Sequence, residues 1–257
     1  MNLEYLKSII NNRTVCLMSH GASIRELEHH IIDFDGKNVC WVSLGLFPIM
    51  EEFILSRINK KLDIVFDCAT VPEARMPHYE PIRLRRIHHF LTRANSNLWI
   101  TTHGLLRDSV TPYYPHLLEH DCYKNRILQV DSLFPADDIA KWMDVPNSMT
   151  LLIGAMIAGG ASKIMIFGLD GYNNDISKGI HSYYHPEAHI NERIAALGTT
   201  HDAGINRDTN GFEIRFPNIL KGYFELFQRE IPIYNCSPNS LYSVLPKITY
   251  GELNGLL

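Results

Sequence analysis

The 257-residue sequence contains no Cys-x-x-Cys pair, no GxGxxG, no GK[ST] loop, no GxSxG and no HExxH. Those absences take away the usual motif grounds for a dinucleotide fingerprint, a Walker A loop, a serine nucleophile or a zinc protease. Positive charge is also short. Lys plus Arg number 24 against 28 Asp plus Glu, a formal net charge of -4, so there is no global basic field to hold a polyanion and nucleic acid is not an expected partner. No stretch approaches 18 uninterrupted apolar residues, and Met1–Lys7 lacks a basic segment followed by an apolar one, which disfavours secretion and membrane spanning. Repeats, low-complexity tracts and Pro/Gly/Ser linkers are missing as well. The expectation is a single domain over 1–257, cytoplasmic, with peripheral membrane association and homo-oligomer formation left open.

What is present suits a folded α/β protein. The chain is 46% hydrophobic and 20% charged, ordinary for a soluble domain with a sizeable core. Five cysteines are scattered, some inside apolar runs such as Val15-Cys16-Leu17 and Val39-Cys40-Trp41, and read as reduced core thiols. Short β-branched and aromatic runs predict strands near 14–18, 39–44, 63–67, 97–101, 126–130, 163–167 and 231–235. Helical patterns fall at 23–32, 47–60, about 80–94, 148–159 and 216–229. Strands alternating with helices predict a Rossmann-like, doubly wound and mostly parallel sheet of about seven strands. The stretch from about 171 to 213, with five glycines and many polar residues, reads as a lid or substrate loop.

Four segments could carry chemistry. In Ser19-His20-Gly21-Ala22-Ser23 a strand runs into a small-residue turn and then a helix, which would set phosphate at the helix N-terminus; the bland alternative is a turn with an N-cap. Asn147 and Ser148 open an apolar helix ahead of Phe167-Gly168-Leu169-Asp170-Gly171-Tyr172. There Asp170, just past a strand's carboxyl end, could accept from sugar hydroxyls, hold a metal ion or merely cap its loop. His181, Tyr183, Tyr184, His185 and His189 cluster in the glycine-rich stretch. Pro186 breaks helical zinc spacing, whereas a histidine near neutral pKa suits general acid–base work, and an inert surface cluster is the alternative. Tyr234-Asn235-Cys236-Ser237-Pro238-Asn239-Ser240 is again a strand followed by a polar turn. The basic run Arg83–His89 spreads around a helix and reads first as a solvated face.

Taken in order, these segments resemble the bacterial CMP-sialic-acid-dependent sialyltransferases, a GT-A-like Rossmann variant. They are also similar to the related motility-accessory-factor domains, which include 6-hydroxymethyl-dihydropterin diphosphokinases. The resemblance runs along most of the chain and is strongest at its ends and at 148–172. It implies that Ser19, His20, Gly21 and Ser23 stand in the donor loop, where Gly-Asn-Gly-Pro-Ser is usual. By the same resemblance Ser148 faces the donor, Asp170 and Tyr172 follow the next strand, and Pro238, Asn239 and Ser240 form the cytidine-side turn. The sequence departs from the pattern at three places. Ser43 replaces a donor-contacting Asn, Val145 replaces an Arg, and Gly211-Phe212-Glu213-Ile214 stands where the family's catalytic His lies.

The implied activity is transfer of a sialic-acid-type sugar from a CMP-linked donor to a glycan acceptor in surface polysaccharide or glycoconjugate synthesis. His185 would be the base and Asp170 the other catalytic residue, and His181, Tyr183 and Tyr184 would face the acceptor. No cofactor is required by the resemblance, though Asp170 leaves Mg²⁺ open, and for a diphosphokinase Asp67, Asp170 and Asp175 are the candidate carboxylates. The rivals are a Mg-dependent diphosphokinase acting on a pterin-like alcohol and a non-catalytic nucleotide-sugar-binding protein. On this reading Asp170→Ala and Ser148→Ala weaken nucleotide binding with little loss of thermal stability.

Overall fold

A computed structural model describes residues 3–19, 21, 23–44, 54–67, 98–101, 127–134, 148–170 and 202–257, with backbone only for 67, 98–101, 127, 129–131 and 202–211. The described elements are α1 (Leu3–Ile10), β1 (Thr14–Met18), α2 (Ile24–His30), β2 (Val39–Leu44), β3 (Ile64–Asp67), β4 (Leu98–Thr101), β5 (Ile127–Gln129), α3 (Ser148–Ala158), β6 (Lys163–Phe167), α4 (Asp202–Phe227), β7 (Ile233–Asn235) and α5 (Tyr250–Leu253). Short 3₁₀ turns add Ile31–Phe34, Leu55–Ile58 and Val130–Leu133. The strands form one seven-stranded sheet in the order β5-β4-β3-β2-β1-β6-β7, and every neighbouring pair is parallel. The expected doubly wound Rossmann-like sheet is therefore present, and its seven strands coincide with the seven predicted runs to within two residues at each end.

The near-continuous apolar strands follow from burial on both faces. Because successive side chains alternate, Val15, Leu17, Val42, Ile164 and Ile166 enter one core with α1, α3 and α4, while Cys16, Met18, Trp41, Met165 and Phe167 enter a second with α2 and α5. Helix α3 lies inside the first core and is buried on all sides from Met149 to Ala158, so its apolar circumference has a packing explanation. Cys16, Cys40 and Cys236 are buried free thiols, as read from their apolar surroundings.

Three expectations need correcting. Of the helix placed at 47–60, the described part carries the 3₁₀ turn Leu55–Ile58, which ends with Asn59 in the left-handed region. The helix placed at 216–229 begins at Asp202, so the last twelve residues of the predicted loop over 171–213 are helical. Gly204 and Gly211 argue locally against a helix, yet buried Phe212, Phe216 and Tyr223 recur on one face and pack it against α3 and the β7 region. The helix also runs through Pro217, which removes one backbone donor. Within 23–32, the α-helix ends at His30 and a 3₁₀ turn completes the segment. The helix predicted at 80–94 and the glycine-rich residues 171–201 lie outside the described residues.

The topology determines where a ligand crevice can be. β1 sits between β2, which follows it, and β6, which returns on its other side, so chain connections diverge at the carboxyl ends of β1 and β6. In an open parallel sheet that divergence leaves a crevice.

Candidate functional site

The loop after β1 is held against the loop after β6 by backbone alone at first. The Ser19 amide donates to the Phe167 carbonyl at 2.8 Å and the Gly21 amide to the Gly168 carbonyl at 2.7 Å. A Cβ on Gly21 would lie 2.3 Å from that carbonyl oxygen and 2.4 Å from Asp170 Oδ2. Gly168 adopts φ +73, the left-handed region that favours glycine. The crossing thus needs both glycines, one for space and one for backbone conformation.

Side chains then tie in the loop after β7. Asp170 Oδ2 accepts the Ser23 amide at 2.8 Å, and Oδ1 accepts the Ser23 hydroxyl. Ser23 Oγ lies 2.7 Å from Ser237 Oγ, which also accepts the Leu169 amide at 3.1 Å. Asn235 donates from Nδ2 to the Leu169 carbonyl at 3.0 Å and accepts the Ser237 amide at 3.1 Å. The Leu241 amide donates to the Asp170 carbonyl at 2.6 Å. Three loops from strands far apart in sequence therefore converge on two residues, Leu169 and Asp170.

This arrangement revises the phosphate reading of the first loop. The Ser23 amide and hydroxyl are given to Asp170, and the Ile24 and Glu26 amides bond inward to the carbonyls of Gly21 at 3.1 Å and Ser23 at 3.0 Å. The anion position at the start of α2 is occupied by the protein's own carboxylate, and a phosphate placed there would meet like charge.

The Pro238-Asn239-Ser240 turn divides in two. Ser240 is buried, donates to the Leu169 carbonyl at 2.6 Å and accepts the Tyr242 amide at 3.1 Å, so its hydroxyl is spent inside. Lys247 Nζ donates to the Ser240 carbonyl at 2.6 Å and braces the same turn. Asn239 is exposed and Pro238 partly so, and both lie at the carboxyl edge of the sheet. Ser43 is fully buried at the end of β2, level with Met18 of β1, and Ser148 is the half-buried first residue of α3.

Beneath the loops lie buried thiols and a buried phenol. Burial pushes the Cys16 and Cys236 thiols well up, so both stay protonated and neither is a nucleophile. Burial also raises the Tyr250 phenol, whose ring stacks on His30 at 4.7 Å and whose hydroxyl lies 3.5 Å from the Ser23 carbonyl. Glu213, which stands near the place of the expected histidine, accepts the Ser243 amide at 2.7 Å and its hydroxyl at 2.8 Å, tying α4 to the chain after β7. No cluster of three or more His, Cys, Asp or Glu able to hold a metal occurs among the described residues. Likewise no helix among them is long and apolar enough to cross a membrane.

Of the residues singled out by sequence, Ser19, Gly21, Ser23, Ser43, Asp170, Pro238, Asn239 and Ser240 all lie at the carboxyl edge of the sheet, with Ser148 opening the helix that leads into β6. His20, Asn147, Tyr172, His181, Tyr183, Tyr184 and His185 lie outside the described residues, as do Val145 and Asp175. Sequence reading includes Ser237 and Gly168 in its candidate segments but gives neither a role of its own. The available signal was a serine two residues past the strand Ile233–Asn235, next to a more conspicuous Pro-Asn-Ser triplet.

No family model matches the chain, and no curated protein matches it by sequence. Solved structures do match. The sialyltransferase CstII from Campylobacter jejuni, in complex with the substrate analogue cytidine-5'-monophosphate, aligns with a TM-score of 0.56 at 15% identity, over 93% of this chain and 86% of that one. A phenylalanine-to-tyrosine mutant of the alpha-2,3/8-sialyltransferase CstII aligns with a TM-score of 0.54 at 14% identity, over 92% and 87%. The Campylobacter jejuni enzyme with CMP-3FNeuAc aligns with a TM-score of 0.51 at 15% identity, over 92% and 85%. At these identities the shared property is the fold, along nearly its whole length.

Proposed function

We propose that this protein is a glycosyltransferase that moves a sialic-acid-type sugar from a CMP-linked donor to a hydroxyl of a glycan acceptor. The observation that carries the reading is the convergence of the loops after β1, β6 and β7 on Leu169 and Asp170 at the topological switch point. It is supported by the likeness in fold to a protein solved with cytidine-5'-monophosphate. A fold hosts many functions, so the argument rests on the site.

In this reading Asn239 and Pro238 face the nucleoside, and Ser148 opens the helix beside the phosphate. Asp170 retains lone pairs beyond those used by Ser23 and can accept from a sugar hydroxyl. His185 takes the proton from the acceptor hydroxyl. The acceptor oxygen then bonds to the anomeric carbon as the bond from that carbon to the phosphate oxygen breaks, and CMP leaves with the electron pair. Displacement is direct and inverting, with no metal required.

The test is a thermal-shift screen of CMP, CDP, UDP, GDP and ATP, each with and without Mg²⁺, since a ligand that binds only the folded state raises the melting temperature by mass action. A metal-independent shift with CMP is expected, followed by release of CMP from CMP-sialic acid when acceptor is added. A shift confined to ATP with Mg²⁺ would replace this reading with the diphosphokinase.

A further inference from the structure

We infer that Ser237 is a positioning residue of this site, fixing Asp170 from two sides and locking the loops after β1, β6 and β7 into one unit. A hydroxyl has one proton to give and two lone pairs. Ser23 faces both a carboxylate oxygen of Asp170, which only accepts, and Ser237 Oγ at 2.7 Å. Its proton goes to Asp170, so the contact between the two serines is donated by Ser237. Ser237 in turn accepts the Leu169 amide at 3.1 Å. The four groups form a one-way chain, from the Leu169 amide through Ser237 and Ser23 to Asp170, in which each bond polarises the next.

Ser237 therefore acts on Asp170 by two routes. Through Leu169 it holds the peptide immediately before Asp170, and through Ser23 it holds the hydroxyl that Asp170 Oδ1 accepts. Ser237 is fully buried, so solvent does not replace its hydroxyl when it is removed. Its own amide is fixed by Asn235, and the Ser240 amide bonds to its carbonyl at 2.9 Å, so the side chain has a rigid base. The proposal rests on the sugar-transfer reading only for the identity of the ligand that the locked loops receive.

The experiment uses the full chain and two readouts. Hydrogen exchange by NMR is followed at the Ser23 amide, which bonds to Asp170 and not to Ser237, with Ile166 in β6 as the reference amide. In Ser237→Ala the Ser23 amide should exchange at least tenfold faster than in the parent, relative to Ile166, and the Kd for CMP should rise at least tenfold. Ser237→Thr, which keeps the hydroxyl, should return part of both. A residue that only fills space would lower the melting temperature and leave both readouts unchanged, and that result overturns the proposal. If the alanine variant does not fold, Ser237→Cys, a weaker donor, should give an intermediate acceleration at Ser23, and unchanged exchange there is equally fatal. If the parent protein does not bind CMP but Ser23 loses protection in the variant, the positioning role stands and the CMP reading falls. If the parent binds CMP and the alanine variant binds it as tightly, the role assigned to Ser237 is wrong.

Discussion

Gly21 and Gly168 pass so closely that the amide of the first donates to the carbonyl of the second at 2.7 Å, and a methyl group on Gly21 would sit 2.3 Å from that oxygen. The obstacle is backbone, which cannot rotate aside. Gly21→Ala should cost about 1–3 kcal/mol, in the range of overpacked sites. Differential scanning calorimetry would show this as a lower melting temperature, by about 2–4 °C per kcal/mol for a chain of this size. An unchanged melting temperature would mean that the crossing is looser than drawn.

Asp170 is a second test of the same crossing. Alanine there strands the Ser23 amide, so Asp170→Ala should lose about 1–3 kcal/mol in urea denaturation, whereas Asp170→Asn keeps one acceptor oxygen and should lose less. This replaces the expectation, drawn from sequence alone, that the alanine variant would be almost as stable as the parent. Equal urea midpoints for all three proteins would remove Asp170 from the scaffold.

At the amino-terminal edge of the sheet Asp63 accepts the Trp41 amide at 2.8 Å and lies 3.8 Å from Arg13. Burial nevertheless raises its carboxyl above its ordinary value, outweighing the opposing pull of the amide and the guanidinium. The folded protein then holds this proton more tightly than the unfolded chain. The stability it contributes is complete below the unfolded pKa of about 3.9 and is lost as pH rises through the higher folded value. Asp63→Asn retains an acceptor for Trp41 and removes that slope, so its unfolding free energy relative to the parent should increase from acid to neutral pH. A difference that stays flat across that range would show that Asp63 titrates normally.

Glycine-to-alanine changes inside two helices should have opposite signs. In α3 a Cβ on Gly154 would lie 2.7 Å from Tyr223 Cζ, a fully buried ring of α4, so the gain in helix propensity of about 1 kcal/mol is outweighed by overpacking. In α5 the nearest atom to a Cβ on Gly251 is Thr249 Oγ1 at 3.9 Å, and the same change should stabilise by about 0.4–1 kcal/mol. Thermal melts of the two variants side by side decide it, and a stabilised Gly154→Ala would show that α3 and α4 are not in close contact.

The sheet was legible because its strands are buried on both faces and read as compact apolar runs such as Thr14–Met18 and Lys163–Phe167. The carboxyl-edge residues were legible for a related reason: a turn of small polar residues after such a run falls where a parallel sheet opens. The start of α4 was not, since Gly204 and Gly211 carry local signals against helix and the packing of Phe212, Phe216 and Tyr223 that overrides them is tertiary. The role of Ser237 was missed because it depends on residues 68 and 214 positions away. The destination of Asp170's carboxylate was equally hidden, being 147 residues distant at Ser23.

The sheet order also has a consequence for synthesis. β1 to β5 can pair side by side as they leave the ribosome, but the second edge of β1 is completed only by β6, which ends at Phe167. Until then the growing chain carries an open, apolar strand edge of the kind that recruits other chains. The crevice loops close later still, because Ser237 emerges only after β7. A nascent chain halted between β5 and β6 should be a strong client for chaperones, and moving β6 and β7 ahead of β1 by circular permutation should shorten that exposed interval.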